Sequence, residues 1–463
     1  MQREPRSTLS GTLDAARRQW RRAEHYALSQ MTWNRVYRAS SYVRSALWIV
    51  PFVAIVLVLL VAPLLRWLDT WLGWRLSGLG VAGATALYET VISLTLSFLV
   101  FTFGSLLVAV QIAGGQLTPR IIATTLLRDN VVRYSVGLFV FALIFAVMAL
   151  DRLEGRVHEL VALITAMLGI ASMATFLFLI DYAARLLRPV SILARVGNEG
   201  LTVVHSVYPN LVGQVGEEAA DTVDDNLPAG ARRVVVHEGR SEIVLAVDIA
   251  RLIREARWAD GVIEIVPRVG DFVASEDPLF VLYGGAGAID NRTLRTSVAF
   301  GPERTMEQDP MFAFRILVDI GLKALSPAIN DPTTAVLALD QLQRLLRAVG
   351  RRHLGSARVR DAAGETRLVL RTPDWEDFVH VACHEIRMYG AGNIQVARRM
   401  HAMLATLLSS LPPHRHGALV EERGRLAATI TRHYDLPADL ALAAEADSQG
   451  LGGGARAAGT LGS

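Results

Sequence analysis

The sequence predicts a membrane α-helical domain of four transmembrane helices, followed by a cytoplasmic α+β region in which a small β-rich module precedes a helical subdomain. Three observations support this fold class. Four long apolar stretches lie between residues 47 and 180, and arginines flank them asymmetrically. After residue 231, short β-branched runs give way to amphipathic helical patterns, which are typical of strands and surface helices respectively.

The apolar stretches define the four predicted spans. A bilayer core of about 30 Å requires roughly 20 apolar helical residues. We place the spans at residues 47–65, 81–112, 136–150 or 131–150, and 160–180. A buried helix of a soluble protein is an alternative for any one stretch, but four in succession favour a membrane domain.

Arginines set the expected orientation, because cytoplasmic loops of membrane proteins carry an excess of basic residues. The basic segments contain Arg17, Arg18, Arg21, Arg22, Arg35, Arg38 and Arg44 before the first span, Arg120, Arg128 and Arg133 between the second and third, and Arg185, Arg188 and Arg195 after the fourth. The loop at 66–80 instead carries three tryptophans, which favour the headgroup layer. We therefore expect a multi-pass protein of the inner (plasma) membrane with both termini in the cytoplasm.

The amino-acid composition limits the classes of partner that we expect for this chain. The formal net charge is only +3, so the chain carries no basic excess that would suggest nucleic-acid binding. Cys383 is the only cysteine, which excludes an internal disulfide and fits a reducing cytoplasm. We expect the lipid bilayer, further copies of the chain and ions as partners, and no nucleic acid.

The predicted domains follow from these patterns. We divide the chain into a basic cytoplasmic N-terminal segment at 1–46, the transmembrane domain at 47–188, a connecting helix and acidic loop at 189–231, the β-rich module at 232–284, the helical cytoplasmic subdomain at 285–436 and a flexible tail at 437–463.

The second span differs from the others because polar residues recur along it. At 100° per residue these residues fall within one narrow stripe. The predicted pore-lining residues are Glu89, Ser93, Ser97, Gly104, Gln111, Gly115 and Thr118. Polar groups in lipid are unfavourable, so the stripe should face water or protein. It could line a pore with Glu89 near the outer mouth, or form a close helix–helix seam, since glycine and serine also allow helices to approach.

Two Asp-Pro pairs predict helix starts in the C-terminal region, because aspartate caps free N–H groups and proline suits the first turn. They begin predicted helices at 311–325 and 333–349. One interpretation is a helical hairpin with capped ends. The other is a polar site formed by Glu303, Arg304, Gln308, Asp309, Lys323, Asn330 and Asp331. Helix N-termini would favour an anion there, whereas clustered oxygens would favour a cation.

Two motifs, QIAGGQLTPR at 111–120 and SPAINDPTTA at 326–335, carry a resemblance to a known family. The chain resembles, from about Arg44 to Leu411, a family of predicted bacterial membrane proteins known as a domain of unknown function. Ala328 stands where that motif more often has glycine. The resemblance implies four N-terminal spans and a soluble C-terminal region, and it implies no activity.

Searches for catalytic motifs favour a protein that is not an enzyme. Lys323 is the only lysine, so a phosphate-binding GxxxxGK loop is excluded. His380 and His384 have a spacing that suits zinc, but no third ligand is evident in the sequence. We expect no cofactor and no bound metal.

The favoured functional hypothesis is a homo-oligomeric ion channel or pore, in which the cytoplasmic region forms a vestibule or gate. The alternative is a membrane-tethered cytoplasmic sensor or scaffold that binds a small ligand or a protein partner.

Overall fold

The computed structural model describes residues 46, 48–72, 78–116, 129–153, 157–186, 188–212, 232–354 and 358–449. The predicted N-terminal segment before Ala46, most of the acidic loop before residue 232, and the tail after residue 449 lie outside the described residues. Within the described residues the chain forms two compact units. One comprises residues 200–313 and 346–378, and the other comprises the remaining described residues.

Four helices are long and apolar enough to cross a membrane, which confirms the predicted spans. They are α1 at Ile49–Leu72, α2 at Val81–Gln116, α3 at Asn130–Asp151 and α4 at Glu159–Leu186. The start of α3 agrees with the longer of the two predicted third spans. Asp129 caps this helix, because its carboxylate accepts hydrogen bonds from the N–H groups of Val131 at 2.9 Å and Val132 at 3.3 Å. A further helix, α5, follows at Pro189–Val207.

Helix α3 lies at the centre of the four-helix bundle and contacts the other three helices. Half of its apolar span is buried inside the protein, compared with 11–22% for the spans of α1, α2 and α4. Aromatic and small residues fill the centre, and Phe139, Ala142 and Phe145 are almost inaccessible. The centre of the bundle is therefore closely packed with mainly apolar side chains, and its outer helices present broad surfaces to their surroundings.

Buried carboxylates join the helices at each end of the bundle. At the end where α1 finishes, Asp69 accepts hydrogen bonds from the backbone N–H of Leu160 at 2.9 Å and lies 3.1 Å from Nδ1 of His158. At the other end, the Asp129 carboxylate also accepts from the Tyr182 hydroxyl at 2.6 Å and from the Arg195 guanidinium at 2.9 Å. This second cluster connects the membrane bundle to α5.

Two β-sheets share one core in the first unit. The strands are β1 at Arg233–Val236, β2 at Glu242–Val247, β3 at Gly261–Ile265, β4 at Phe272–Val273, β5 at Pro278–Gly284, β6 at Val298–Gly301, β7 at Arg358–Arg360 and β8 at Thr366–Leu370. The five-stranded sheet has the order β1-β5-β3-β8-β7, and the three-stranded sheet has the order β4-β2-β6. Val244, Ile263 and Leu368 meet in the common core, together with side chains of helices α6 at Ile249–Trp258 and α7 at Asn291–Arg295.

The sheets extend beyond the predicted β-rich module at 232–284. Strands β6, β7 and β8 come from the range predicted as a helical subdomain, and β8 pairs in parallel with β3. A parallel pair joins segments that are far apart in the chain, so local alternation of residues cannot reveal it.

The remaining elements are helices. They are α8 at Pro310–Ala324, α9 at Pro332–Gly350, α10 at Trp375–Gly390, α11 at Ile394–Ser410, α12 at His416–His433 and α13 at Pro437–Ala443. The bounds of α8 and α9 lie within one residue of those predicted.

The predicted flexible tail begins too early. Residues 437–443 form α13, and Ala443 is fully buried. The buried Arg398 of α11 donates a hydrogen bond to the carbonyl of Glu445 at 3.2 Å. The reason is tertiary, since a buried guanidinium needs acceptors and the segment after α13 supplies one.

Candidate functional site

The polar residues of α2 lie on the outside of the bundle. Glu89, Ser93, Ser97, Gly104 and Gln111 are all exposed, and we call these five residues the α2 polar face. The opposite side of the helix packs into the bundle, where Tyr88, Val91, Thr95 and Phe98 are buried. These five residues therefore form no seam with the other described helices of the same chain. Any seam or pore would form between chains.

The exposure of the two remaining predicted members of the stripe is not described. Gly115 belongs to α2, but its surroundings are outside the described features, and Thr118 lies outside the described residues.

Two members of the α2 polar face have unused hydrogen-bonding capacity. Ser97 donates its hydroxyl to the carbonyl of Ser93 at 2.8 Å, so this serine is satisfied within the helix. The side chains of Glu89 and Gln111, in contrast, make no hydrogen bond or ion pair with any described residue. A carboxylate in contact with lipid tails would be strongly disfavoured, so this face requires water or a protein partner.

The structure does not bring the seven residues of the predicted C-terminal polar site together. Arg304, Gln308 and Asp309 precede α8, whereas Lys323 and Asp331 lie at or beyond its other end. Fifteen residues of α-helix span about 22 Å, so the two groups are too far apart to share a small ligand. Glu303 is exposed and, among the described residues, has no partner.

The group after α8 forms a helix–turn–helix connection. Asn330 has φ +50°, in the left-handed region that asparagine tolerates better than most residues. The Asp331 carboxylate accepts from the Thr334 N–H at 3.1 Å and from the Thr334 hydroxyl at 2.5 Å, which caps α9. The predicted cap of the SPAINDPTTA motif at Asp331 is therefore confirmed. Lys323 and Asn330 are exposed side chains of this turn.

The group before α8 is buried. Asp309 is 3% exposed, accepts a hydrogen bond from the Phe312 N–H at 3.1 Å and thereby caps α8. Its other oxygen forms a short ion pair with Nε of Arg304, whose guanidinium lies over the Phe312 ring. Burial raises the pKa of the Asp309 carboxyl, although Arg304 and the Phe312 N–H act to lower it.

Asp309 borders a pocket of about 240 Å³, which we call the Asp309 pocket. The pocket lies where β2, β3 and β8 end, since Val247, Ile265 and Leu370 are the last residues of these strands. Its lining also includes Tyr208, Ile249, Pro267, Arg268, Val269, Gln308, Arg371, Thr372 and Pro373. Gln308 accepts a hydrogen bond from the N–H of Val247 at 3.0 Å and closes the end of β2.

Tyr208, Arg268 and Arg371 were not identified from the sequence as site residues. Arg268 donates to Asp377 at 3.0 Å, and burial followed by the charge of Asp309 raises the pKa of Tyr208. The sequence did hold one signal, because β3 and β8 are each followed closely by an arginine and a proline. Recognising that signal would have required knowing that the two strands are neighbours.

The described residues contain no group of three or more histidine, cysteine, aspartate or glutamate side chains placed to hold a metal ion. The rings of His380 and His384 stack with centroids 4.6 Å apart, and Nδ1 of His384 lies 3.1 Å from the Arg387 guanidinium.

Comparison with known proteins agrees with this architecture. The uncharacterized protein Mb1321c of Mycobacterium bovis is 27% identical over 437 residues, covering 88% of this chain and 81% of that protein. The uncharacterized protein Rv1290c of Mycobacterium tuberculosis matches with the same identity and coverage. No solved structure matches the chain. The family model described as predicted membrane protein (DUF2254) matches residues 44–406, so the chain belongs to this family of predicted membrane proteins.

Proposed function

We propose that the protein forms a homo-oligomer in the inner (plasma) membrane, in which the α2 polar faces of several copies line an ion-conducting path. The observation that carries this proposal is the exposure of Glu89, Ser93, Ser97, Gly104 and Gln111 on the outside of their own bundle. Association of α2 helices around a common axis would remove these groups from lipid and place them against water.

The packing of the bundle supports a path between chains rather than through one chain. Phe139 and Phe145 of the central helix α3 fill the interior together with Val58 and Tyr88. Among the described residues, such a closely packed core argues against a water-filled path along the middle of the four helices. An oligomer is then needed to enclose water, and Glu89 would form a ring of carboxylates that attracts cations.

The distribution of arginine and tryptophan supports a cytoplasmic location for both termini and for the region after α4. Arg133, Arg185 and Arg188 all lie at the end of the bundle where α3 begins and α4 finishes. Trp67 and Trp71 lie near the opposite end, at the end of α1, and are 63% and 73% exposed, as expected at a membrane–water interface. In this arrangement the C-terminal region would act as a vestibule or gate, and we propose no enzymatic activity for it.

Conductance of the purified protein in planar bilayers tests the proposal. We expect discrete conductance steps, and we expect Glu89→Gln to reduce cation-over-anion preference, because the ring of negative charge is lost. Asp181→Asn is the matched control, since Asp181 is another exposed carboxylate of the membrane domain but pairs with Arg185 on α4. The control should conduct as the wild type does.

Thiol accessibility separates a pore from a dry seam. In a Cys383→Ala background, cysteine at position 97 should react with a membrane-impermeant thiol reagent, whereas cysteine at position 170 should not. Ile170 is 72% exposed on α4 and, like Ser97, faces the surroundings, but on an apolar surface. Protection at both positions together with disulfide cross-linking at position 97 would indicate a seam.

A monomer by mass measurement in lipid nanodiscs would contradict the channel and leave the membrane-tethered sensor as the function.

A further inference from the structure

A tyrosine that lines the Asp309 pocket has a hydroxyl without a partner among the described residues. Tyr208 is 3% exposed and its ring packs edge-on against Phe378, but its hydroxyl makes no hydrogen bond with any described residue. This hydroxyl is therefore available to donate a hydrogen bond to a molecule bound in the pocket.

The charged groups of the pocket that still have free hydrogen-bonding capacity are positive. Asp309 is already paired with Arg304 and with the N–H of Phe312. Arg268 uses one terminal nitrogen for Asp377, which leaves other donors of its guanidinium available. Arg371 is exposed at the pocket and, among the described residues, has no partner. Two guanidinium groups with free donors favour an anion, which arginine can bind through two parallel hydrogen bonds.

The remaining lining is mainly apolar, apart from Ser206, Gln308 and Thr372, and the pocket is small. Val247, Ile249, Ile265 and Leu370 supply branched aliphatic side chains, and three prolines also line the wall. A volume of about 240 Å³ lies below the range of roughly 300–1,000 Å³ that holds drug-sized ligands. The occupant should therefore be a small molecule with an apolar body.

The position in the fold also suits a ligand. Strands β3 and β8 are parallel neighbours, so their carboxyl ends lie at the same edge of the sheet. In open sheets with parallel strands, ligands bind in crevices outside the carboxyl ends. The pocket occupies this edge, with Arg268 and Arg371 on the segments that leave the two strands.

We propose that the Asp309 pocket binds a small organic carboxylate with an apolar body. Arg268 and Arg371 hold the carboxylate, the Tyr208 hydroxyl donates a hydrogen bond to it, and the aliphatic wall covers the apolar part. Asp309 in the pocket wall and Asp377, which pairs with Arg268, disfavour a dianion such as a phosphate monoester. This site does not depend on ion conduction, and its failure would leave the proposed channel untouched.

Isothermal titration of the full-length protein in detergent tests the site, with 4-methylbenzoate as the probe. We expect saturable binding of this carboxylate and no measurable binding of 4-methylbenzamide, which has nearly the same shape without the charge. Phenyl phosphate should bind more weakly than the carboxylate. No saturable binding of 4-methylbenzoate at millimolar concentration would overturn the proposal, and tighter binding of phenyl phosphate would overturn the assignment to a carboxylate.

Three variants locate the binding. Tyr208→Phe and Arg371→Gln should each weaken the affinity for 4-methylbenzoate by about tenfold, because each removes a hydrogen bond to a charged group. Arg360→Gln is the control, since Arg360 is an exposed arginine of β7 that does not line the pocket. Without the probe, Tyr208→Phe should not lower the melting temperature, because its hydroxyl has no protein partner to lose. Unchanged affinity in both pocket variants, or an equal loss in Arg360→Gln, would overturn the proposal.

Discussion

Asp309 and Asp331 use the same local sequence in two different environments. Each is followed by proline, and each accepts a hydrogen bond from the N–H three residues later, at 3.1 Å in both cases. Asp309 is 3% exposed and paired with Arg304, whereas Asp331 is only half-buried and its second partner is the hydroxyl of Thr334. The capping geometry is therefore local, while the charge environment is set by residues packed around it.

This difference teaches how a functional group can be distinguished from a structural one with the same motif. At Asp331 every polar contact of the carboxylate lies within the first turn of the helix that it caps. At Asp309 the carboxylate also contacts Arg304, which precedes the helix, and borders a pocket. We expect a role beyond capping only where the carboxylate also contacts residues that do not belong to the helix it caps.

The largest effect should come from removing the two carboxylates. Asp309→Ala should lower the local free energy of opening at the start of α8 by roughly 2–4 kcal/mol, since it removes a cap and leaves Arg304 without its carboxylate. Asp331→Ala should lower that of α9 by about 0.5–2 kcal/mol, which is the value of a cap alone. Amide hydrogen exchange of the full-length protein, followed by mass spectrometry, measures both.

Asparagine variants at the same positions sharpen the comparison. Asp331→Asn should exchange as the wild type does, because asparagine caps as well as aspartate. Asp309→Asn should retain more protection than Asp309→Ala, because it keeps the cap and removes a charge that burial disfavours. Equal losses in the two alanine variants would show that the environments do not differ in energy.

A smaller effect is expected from backbone positions beside the two aspartates. Gly270 has φ +94°, and a Cβ at this position would collide with the Asp309 carboxylate and the Arg304 guanidinium. Gly270→Ala should therefore reduce protection at the start of α8 by about 1–3 kcal/mol.

Asn330→Gly is the counterpart at the other site, since Asn330 has φ +50° and is exposed. Glycine adopts this conformation without strain, so protection of α9 should change by only a few tenths of a kcal/mol, roughly. Comparable losses in both variants would contradict the idea that only the Asp309 environment is crowded.

The smallest effect concerns pH. Burial raises the pKa of Asp309 above its ordinary value of 3.8, so the folded state takes up this proton more readily than the unfolded state. The resulting stabilisation is present below the ordinary pKa and is lost as the pH rises through the raised pKa. Hydrogen exchange at the start of α8 should therefore show wild-type protection, relative to Asp309→Asn, falling as the pH rises from about 4 towards neutrality. A relative protection that rises over this interval would indicate that the Arg304 ion pair outweighs burial.

Much of the fold could be predicted because its signals are local. The four spans follow from apolar length, and the bounds of α8 and α9 follow from Asp-Pro caps and from Ser326-Pro327. The stripe on α2 follows from helical periodicity alone. In each case a few neighbouring residues carry all the information.

The candidate site in the C-terminal region could not be predicted in the same way. The sequence grouped Asp309 with Lys323 and Asp331, although a helix of 15 residues separates them. It also left Tyr208, Arg268 and Arg371 unconnected, because the parallel pairing of β3 with β8 joins positions about one hundred residues apart. Closeness in the sequence did not predict closeness in space here, because the length of helix α8 separates the residues at its two ends.

The sequence by itself determined that this is a membrane protein with four apolar helices, where the caps of α8 and α9 lie and which residues of α2 share a polar stripe. These features depend on hydrophobicity, backbone capping and helical geometry, which act over a few residues. Only the tertiary structure decided that the stripe lies outside its own bundle, and that Tyr208, Arg268, Asp309 and Arg371 surround one pocket. Burial and pairing between distant segments decide both, and neither is encoded in the spacing of residues along the chain.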